Sequence, residues 1–248
     1  MKILVFGAGV LGCNLARNFF RAGKDVTLLA RGAWGESIPK NGLRIKDKFS
    51  PRMSVSRIPV VTELKAEDKY DVIFVVLRYT QLDAILDTLR ANPTKNIVFV
   101  GNDVRASALS ASLPEKNVMF AFASSAGHRE REYVASVDLK KLKGNTAYLN
   151  RLIDANIEGY RAIKNAGHEI LPKDDAEFEG AAYRKTCLRF FKLMSATSLG
   201  KICASDHAMN AVDEMSALNR DLKAFFDEHG GKYPVWQELE QEVAKYLK

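Results

Sequence analysis

The chain has 248 residues, of which 47% are hydrophobic and 27% charged, and its net charge is +7. That composition supplies enough apolar side chain for a buried core and excludes a disordered chain. No run of eighteen apolar residues occurs, so no membrane-spanning helix is expected. In chain order, Lys2 to Phe6 is a short apolar run that ends at Gly7. Leu11 to Ala22 has helical spacing through Leu15, Phe19 and Ala22, and Gly23 stops it. Asp25 to Ala30 is the next strand. Residues 31–56 read as irregular, with Gly32, Gly35, Pro39, Gly42 and Pro51, apart from a strand at Leu43 to Lys46.

A short strand is predicted at Val60-Val61. Asp71 to Leu77 is apolar throughout, the pattern of a strand buried on both faces. Gln81 to Arg90 reads as a helix with Leu82, Ile85, Leu86 and Leu89 on one side. A strand follows at Asn96 to Val100, a helix at Ala106 to Leu113 and a strand at Asn117 to Ala123. Tyr133 to Val137 and Thr146 to Leu149 read as strands of an antiparallel extension, and Leu152 to Asn165 as a helix. Glu169 to Leu171 is predicted as a last short strand before Pro172. Beyond it the pattern is helical: Asp174 to His207 almost continuously, Asp213 to His229, and Pro234 to Leu247. The expected architecture is therefore α/β, an N-terminal Rossmann-type doubly wound sheet over residues 1–172 followed by a small all-helical C-terminal domain over 173–248. The long apolar faces of that second domain make a homodimer reasonable.

The charge is uneven, +10 over residues 1–165 and −3 over 166–248. A basic first part suits an anionic ligand. Nucleic acid is not expected, because no helix-turn-helix spacing, zinc finger or aromatic-basic interleaving is present. Cys13, Cys187 and Cys203 are few, odd in number and form no C-x-x-C pair. His128, His168, His207 and His229 lack ligand spacing, so neither a disulfide framework nor a metal is expected. Ile3 to Val10 could pass for the core of a secretory leader, but Gly7, Gly9 and Gly12 interrupt it and no small-residue cleavage pattern follows. A cytoplasmic protein is the expectation.

Gly7-Ala8-Gly9-Val10-Leu11-Gly12 is G-x-G-x-x-G between a strand and an amphipathic helix. The first glycine makes the tight turn, the second admits a pyrophosphate to the backbone, and the third lets the helix pack close to the strand. Phosphates then meet backbone N–H groups at a helix N-terminus. The next strand ends in Leu28-Leu29-Ala30-Arg31, without the acid that would receive a ribose 2′-hydroxyl. Arg31 suits a 2′-phosphate, so NADPH is the expected cofactor; a solvated surface arginine is the plain alternative. Arg78 and Asn102 follow later strands, where open parallel sheets place their ligands. Arg78 can hold a cofactor phosphate or substrate carboxylate, or be a helix-start charge. Asn102 can hold ribose or the nicotinamide amide, or simply form the turn Gly101-Asn102-Asp103. Ser124, Ser125 and Gly127 form a loop that could line the cleft. Trp34 can stack on adenine or cover apolar surface, and cover is the simpler reading.

These stretches resemble the ketopantoate reductase (2-dehydropantoate 2-reductase) family. The resemblance rests on M-K-I-L-V-F-G-A-G-V-L-G at the start, D-V-T-L-L-A-R through Arg31, N-G-L-R-I at 41–45, V-V-L-R-Y-T-Q at 75–81 and I-V-F-V-G-N at 97–102. It continues in A-G-H-E-I-L-P-K-D-D at 166–175, E-M-S-A-L-N at 214–219 and Y-P-V-W-Q-E-L at 233–239. It implies NADPH-dependent reduction of a small 2-oxo acid, 2-dehydropantoate or an analogue, on the route to pantothenate. By position it assigns Gly7, Ala8, Gly9, Val10, Leu11, Gly12, Arg31, Leu77, Arg78 and Asn102 to the cofactor, with Arg78 standing where the family has lysine and Asp103 where it has glycine. The family's proton-donating lysine has two counterparts, Lys192 in F-F-K-L-M and Lys185 in Y-R-K-T-C. They are seven residues apart, so one helix face can present both. Glu214 matches the family's substrate-binding acid; an acid in a first helical turn is also favourable without a ligand. Lys192 and Glu214 are 22 residues apart, fewer than the family usually carries, so the C-terminal domain is shortened. Besides the reductase, an NADP(H)-binding protein of regulatory or structural role without that activity remains open.

Overall fold

The computed structural model describes residues 1–47, 52–123, 144–171, 173–197, 200 and 211–244. The chain divides into two compact units, Met1–Glu130 and Arg131–Lys248. The predicted strand Tyr133 to Val137, the loop residues Ser124, Ser125 and Gly127, and His128, Cys203 and His207 lie outside the described residues.

In the first unit, strand β1 (Lys2–Phe6) leads into helix α1 (Val10–Arg21) and strand β2 (Asp25–Leu29). Helix α2 (Gly32–Asn41), an antiparallel pair β3 (Leu43–Lys46) and β4 (Met53–Ser56), and the short β5 (Val60–Val61) follow. Then come β6 (Val72–Val75), α3 (Leu86–Ala91), β7 (Asn96–Val100), α4 (Ala106–Ser112) and β8 (Asn117–Ala121). The main sheet has six strands in the order β5-β2-β1-β6-β7-β8, and every pairing is parallel. This is the doubly wound Rossmann arrangement, with the order reversing between β1 and β6.

Apolar alternation explains why the sheet is covered on both faces. Leu4, Phe6, Ile73, Val75, Ile97 and Phe99 pack on one side with Leu82, Leu89, Leu109 and Leu113. Ile3, Val5, Val26, Leu28, Val72 and Val98 pack on the other with Cys13, Ala16, Ile38 and Leu43. The β3–β4 pair docks on α1 through buried Arg17, whose guanidinium donates to Asp47 at 2.7 and 2.9 Å and to Asn14 at 2.7 Å.

Three first-unit expectations change. Residues 31–56 are not mostly irregular: glycines and a proline hid α2, and Gly35 is there for packing. A Cβ on it would lie 2.6 Å from the Ala30 carbonyl oxygen. Gln81 to Arg90 is not one α-helix. Residues Tyr79–Gln81 and Asp83–Ile85 form 3₁₀ turns before α3. The buried residues Tyr79, Leu82 and Ile85 recur every three positions, which is the 3₁₀ period. Strand β6 is also shorter than its apolar run, which continues to Leu77 while the strand ends at Val75.

The second unit contains α5 (Thr146–Asn165), α6 (Ala181–Ala196), α7 (Val212–Phe225), a π turn (Phe226–Gly230) and α8 (Pro234–Ala244). Thr146 to Leu149 is the first turn of α5 rather than a strand. The Asn145 side chain accepts the Tyr148 N–H at 3.0 Å, and Leu149, Ile153 and Ile157 then form one buried stripe. Residues 169–171 form no strand, and Asp174 to His207 is broken: a 3₁₀ turn (Lys173–Glu177) precedes α6. Helix α5 packs with α6 and with α8. Among the described residues, no helix is long and apolar enough to cross a membrane.

Glu158 ties this unit together. The residue is 6% exposed, and its carboxylate accepts the N–H groups of Val235 at 3.1 Å and Trp236 at 2.8 Å, in the first turn of α8. Pro234 opens that helix, where its missing N–H costs nothing. Replacing Glu158 with Ala should leave two donors uncapped and destabilise the unit by about 1–3 kcal/mol. Thermal denaturation checks this; an unchanged midpoint would mean that the cap carries no stability.

Candidate functional site

The C-terminal edge of the parallel sheet gathers residues from four strand ends. After β1 the chain turns at Gly7, whose φ of +123° is a conformation that L side chains rarely adopt. A Cβ there would also meet the Val76 oxygen at 2.3 Å and the Leu77 side chain at 2.9 Å. A Cβ on Gly12 would lie 1.9 Å from the Gly7 carbonyl oxygen, so α1 can approach the turn only with glycine at that position. Gly9 differs from both. It is the N-cap of α1, and a Cβ on it would meet nothing within 4 Å among the described residues. The glycine here opens space outside the helix end, as a bound phosphate requires.

The Cys13 N–H donates to the Gly9 carbonyl at 2.9 Å and begins the helical ladder. The N–H groups of Val10, Leu11 and Gly12 precede that bond, at the positive end of the helix dipole. No acidic residue stands in that first turn to compete with an anion. Ala8 and Leu11 are half-buried and pack against the core face that holds Cys13 and Ala16, which fixes the turn from behind.

Arg31 is exposed and is the N-cap of α2, two residues beyond the end of β2. Its guanidinium carbon lies 5.8 Å from the centre of the Phe6 ring, at the end of β1. A cation is thus held beside the glycine turn by a ring face. Trp34, in the first turn of the same helix, is 40% exposed. On the other side of β1, Leu77 is half-buried and Arg78 exposed after β6. Arg78 begins a 3₁₀ turn in which its N–H donates to the Gln81 side chain at 3.1 Å. Asn102 is half-buried after β7, and the preceding Gly101 donates its N–H to Ala121 at 3.1 Å.

Sequence reasoning missed a polar cluster at this edge. Arg105 pairs with Asp83 at 3.0 Å, and its guanidinium carbon lies 4.3 Å from the centre of the buried Tyr79 ring. Its backbone N–H donates to Asp103 at 2.6 Å. Burial works against the Arg105 charge, but the hydrogen bond to Asp83 and the surrounding negative charge raise it above the ordinary arginine value. The sequence signal was an Asp-x-Arg spacing in a turn, too common to single out.

Lys185, Lys192 and Glu214 belong to the second unit. Lys185 is exposed on α6 and Lys192, two turns on, is half-buried. The opposite face of α6 packs Tyr183, Cys187, Leu188 and Phe191 against Ile153, Ile157 and Phe178. Glu214 lies in the first turn of α7 and is only 5% exposed. A surface acid of the usual helix-start kind would be solvated, so this one is distinguished by burial. Glu158, the helix cap, was also missed, because nothing in sequence links position 158 to position 235. The neighbouring tyrosines do not add an ionisable group at neutral pH. Burial first, then bonds to Cys187 and Tyr160, push Tyr183 far above the ordinary value; burial and the Asp175 carboxylate, which accepts the Tyr160 hydroxyl at 2.9 Å, raise Tyr160. Among the described residues no cluster of His, Cys, Asp and Glu could hold a metal.

A parallel sheet with this strand order and a glycine turn opening onto a helix end defines a Rossmann-class nucleotide-binding domain. The chain belongs to the family described as "Ketopantoate reductase PanE/ApbA", whose model matches residues 3–144, more than half of its length. Members of that family are NAD(P)H-dependent oxidoreductases. Solved structures share the fold at low identity. D-mandelate dehydrogenase with NADH and anilino(oxo)acetate is 13% identical with a TM-score of 0.65, over 100% of this chain and 98% of that one. A 2-dehydropantoate 2-reductase, so described as putative, from Enterococcus faecalis is 17% identical with a TM-score of 0.54, over 100% and 98%. A dimeric ketopantoate reductase from Staphylococcus aureus is 12% identical with a TM-score of 0.53, over 100% and 99%. No curated protein matches the sequence.

The Gly35 contact gives a prediction with an unusual sign. Gly to Ala inside a helix ordinarily gains up to about 1 kcal/mol. Gly35→Ala should instead lower the thermal midpoint, because the added carbon meets backbone rather than a movable side chain. A raised midpoint would show that α2 can shift away from Ala30 without loss.

Proposed function

We propose that the protein is an NADPH-dependent reductase of a small 2-oxo acid or related ketone, 2-dehydropantoate or an analogue. The observation that carries the reading is Arg31, exposed beside the glycine turn and without an acid at the end of β2. The residues present fit a dinucleotide: open space at Gly9, first-turn N–H groups for the pyrophosphate, and a guanidinium for a 2′-phosphate. NADPH, when bound, supplies the hydride that reduces the ketone carbon.

The chain's own groups do the rest. Gly7, Ala8, Gly9, Val10, Leu11 and Gly12 hold the pyrophosphate, and Arg31 selects NADPH over NADH. Leu77, Arg78 and Asn102 lie on the far side of β1 from Arg31 in the sheet order, which suits the nicotinamide half. Asn102 receives ribose or the amide, and Arg78 a phosphate or the substrate carboxylate. A lysine ammonium offsets the growing charge on the ketone oxygen and then protonates it. Half-burial favours Lys192 over exposed Lys185 for that role, since a partly desolvated ammonium interacts more strongly with an oxyanion. Glu214 accepts hydrogen bonds from substrate hydroxyls. The place of such a reductase is the cytoplasmic route to pantothenate, and the dimeric relative supports a homodimer. The short spacing from Lys192 to Glu214 favours one alternative, an NADP(H)-binding protein without this activity.

Arg31→Ala should weaken NADPH by about ten- to a hundredfold, the worth of a charge-assisted hydrogen bond, and NADH hardly at all. Fluorescence titration of both cofactors reads this; equal losses would remove the 2′-phosphate assignment. Loss of NADPH absorbance in the presence of a panel of 2-oxo acids tests the reaction. Lys192→Ala should abolish turnover while NADPH still binds. Binding without consumption of NADPH by any keto compound would leave the alternative standing.

A further inference from the structure

The loop carrying Asn102 and the turn carrying Arg78 come from different strands, yet one side chain fastens them together. Arg105 lies three residues after Asn102. Its guanidinium reaches Asp83 at 3.0 and 3.3 Å and lies on the face of Tyr79, the residue that follows Arg78. Tyr79 is 3% exposed, so the platform cannot swing away without opening the core. At its own end the loop is fixed twice: Gly101 donates to Ala121 at 3.1 Å, and Asp103 accepts the Arg105 N–H at 2.6 Å in a tight side-chain turn. The two segments also approach each other directly. A Cβ on Gly101 would lie 3.8 Å from the Leu77 carbonyl oxygen.

Such a contact is poorly suited to stabilising the fold. Asp83 is 66% exposed, and ion pairs with a solvated partner contribute little. It is well suited to geometry. A planar guanidinium wedged on a ring and paired with a carboxylate has few alternative positions. Because Arg105 spans the ends of β6 and β7, it sets the separation of Arg78 and Asn102.

We infer that Arg105, seated on Tyr79 and paired with Asp83, is a positioning residue that holds Asn102 and Arg78 at the spacing required by the nicotinamide half of the cofactor. The inference rests on the NADPH reading above and adds a residue to it. It assigns the two halves of the cofactor to different devices, Arg31 for the adenosine 2′-phosphate and the Arg105 clamp for the nicotinamide side. A ligand that lacks the nicotinamide half does not sense the clamp.

The test is calorimetric titration of the full chain with NADPH and with adenosine 2′,5′-bisphosphate, which carries the 2′-phosphate and no nicotinamide. Arg105→Ala should weaken NADPH by about tenfold, as for the loss of one well-placed hydrogen bond, and leave the bisphosphate within about twofold. The thermal midpoint should change little. Arg105→Lys keeps the pairing charge but not the flat stack, and should recover part of the NADPH affinity. Asp83→Asn, at an exposed position with small risk to folding, should show the same selective loss in smaller measure. Should Arg105→Ala fail to fold, this variant decides. Equal weakening of both ligands, or of neither, overturns the inference. If the unaltered protein binds neither ligand, the NADPH reading itself has failed, a result distinct from loss of selectivity in the variants.

Discussion

The first unit depends on how closely one helix can lie against the turn that precedes it. The Gly7 carbonyl occupies the place where any side chain at position 12 would begin, 1.9 Å from an ideal Cβ. Glycine at that position lets α1 start directly above the end of β1, so its N-terminus opens at the edge of the sheet. Gly7 in turn lies against Val76 and Leu77 at the end of β6. Two adjacent strands and one helix are therefore locked at the point where the strand order reverses, where open α/β sheets hold their ligands. Gly35 repeats the device one strand over, with the Ala30 carbonyl in the role of Gly7. That repetition places the α2 N-cap, and with it Arg31, beside the first turn.

Residues that follow one another in sequence were the legible ones. The glycine fingerprint, the arginine at the end of β2 and the apolar strands were readable because each is a local pattern. Helix α2 was not, because Gly32, Gly35 and Pro39 signal irregular chain when propensity alone is weighed. The close approach of Gly35 to Ala30 is a tertiary fact, and it outweighs propensity. The 3₁₀ turns after β6 were misread for a subtler reason. Leu82, Ile85 and Leu89 suit either a 3.6 or a 3.0 period over so short a stretch, and only Tyr79, outside the predicted helix, separates the two. Thr146 to Leu149 looked like a strand from its β-branched and aromatic residues, but the Asn145 cap and the burial of Leu149 with Ile153 made it a helix.

Contacts between distant positions were invisible. Nothing adjacent to Asp83 announces that Arg105 will reach it, nor does the neighbourhood of Glu158 point to Val235. These polar contacts join elements in different ways. Arg17 and Asp47 fasten an antiparallel pair to a helix, and Glu158 caps a helix from the side of another. The Arg105 cluster joins two loops. In each case a charged group sits where backbone or a second element needs a hydrogen-bonding partner, which is how such groups become tolerable away from water.

The two buried glutamates of the second unit show how burial changes the weight of an argument. At the start of an exposed helix, an acid gains at most about 1 kcal/mol from the dipole, and that gain alone explains its presence. This was the plain reading of Glu214. At 5% exposure the same acid forgoes hydration worth several kcal/mol, so the dipole is only part of what holds it there. Glu158, equally buried, is compensated by the two N–H groups of α8, and its role is structural. Glu214, too, is held by an interaction of its own, so its burial is that of a compensated group like Glu158.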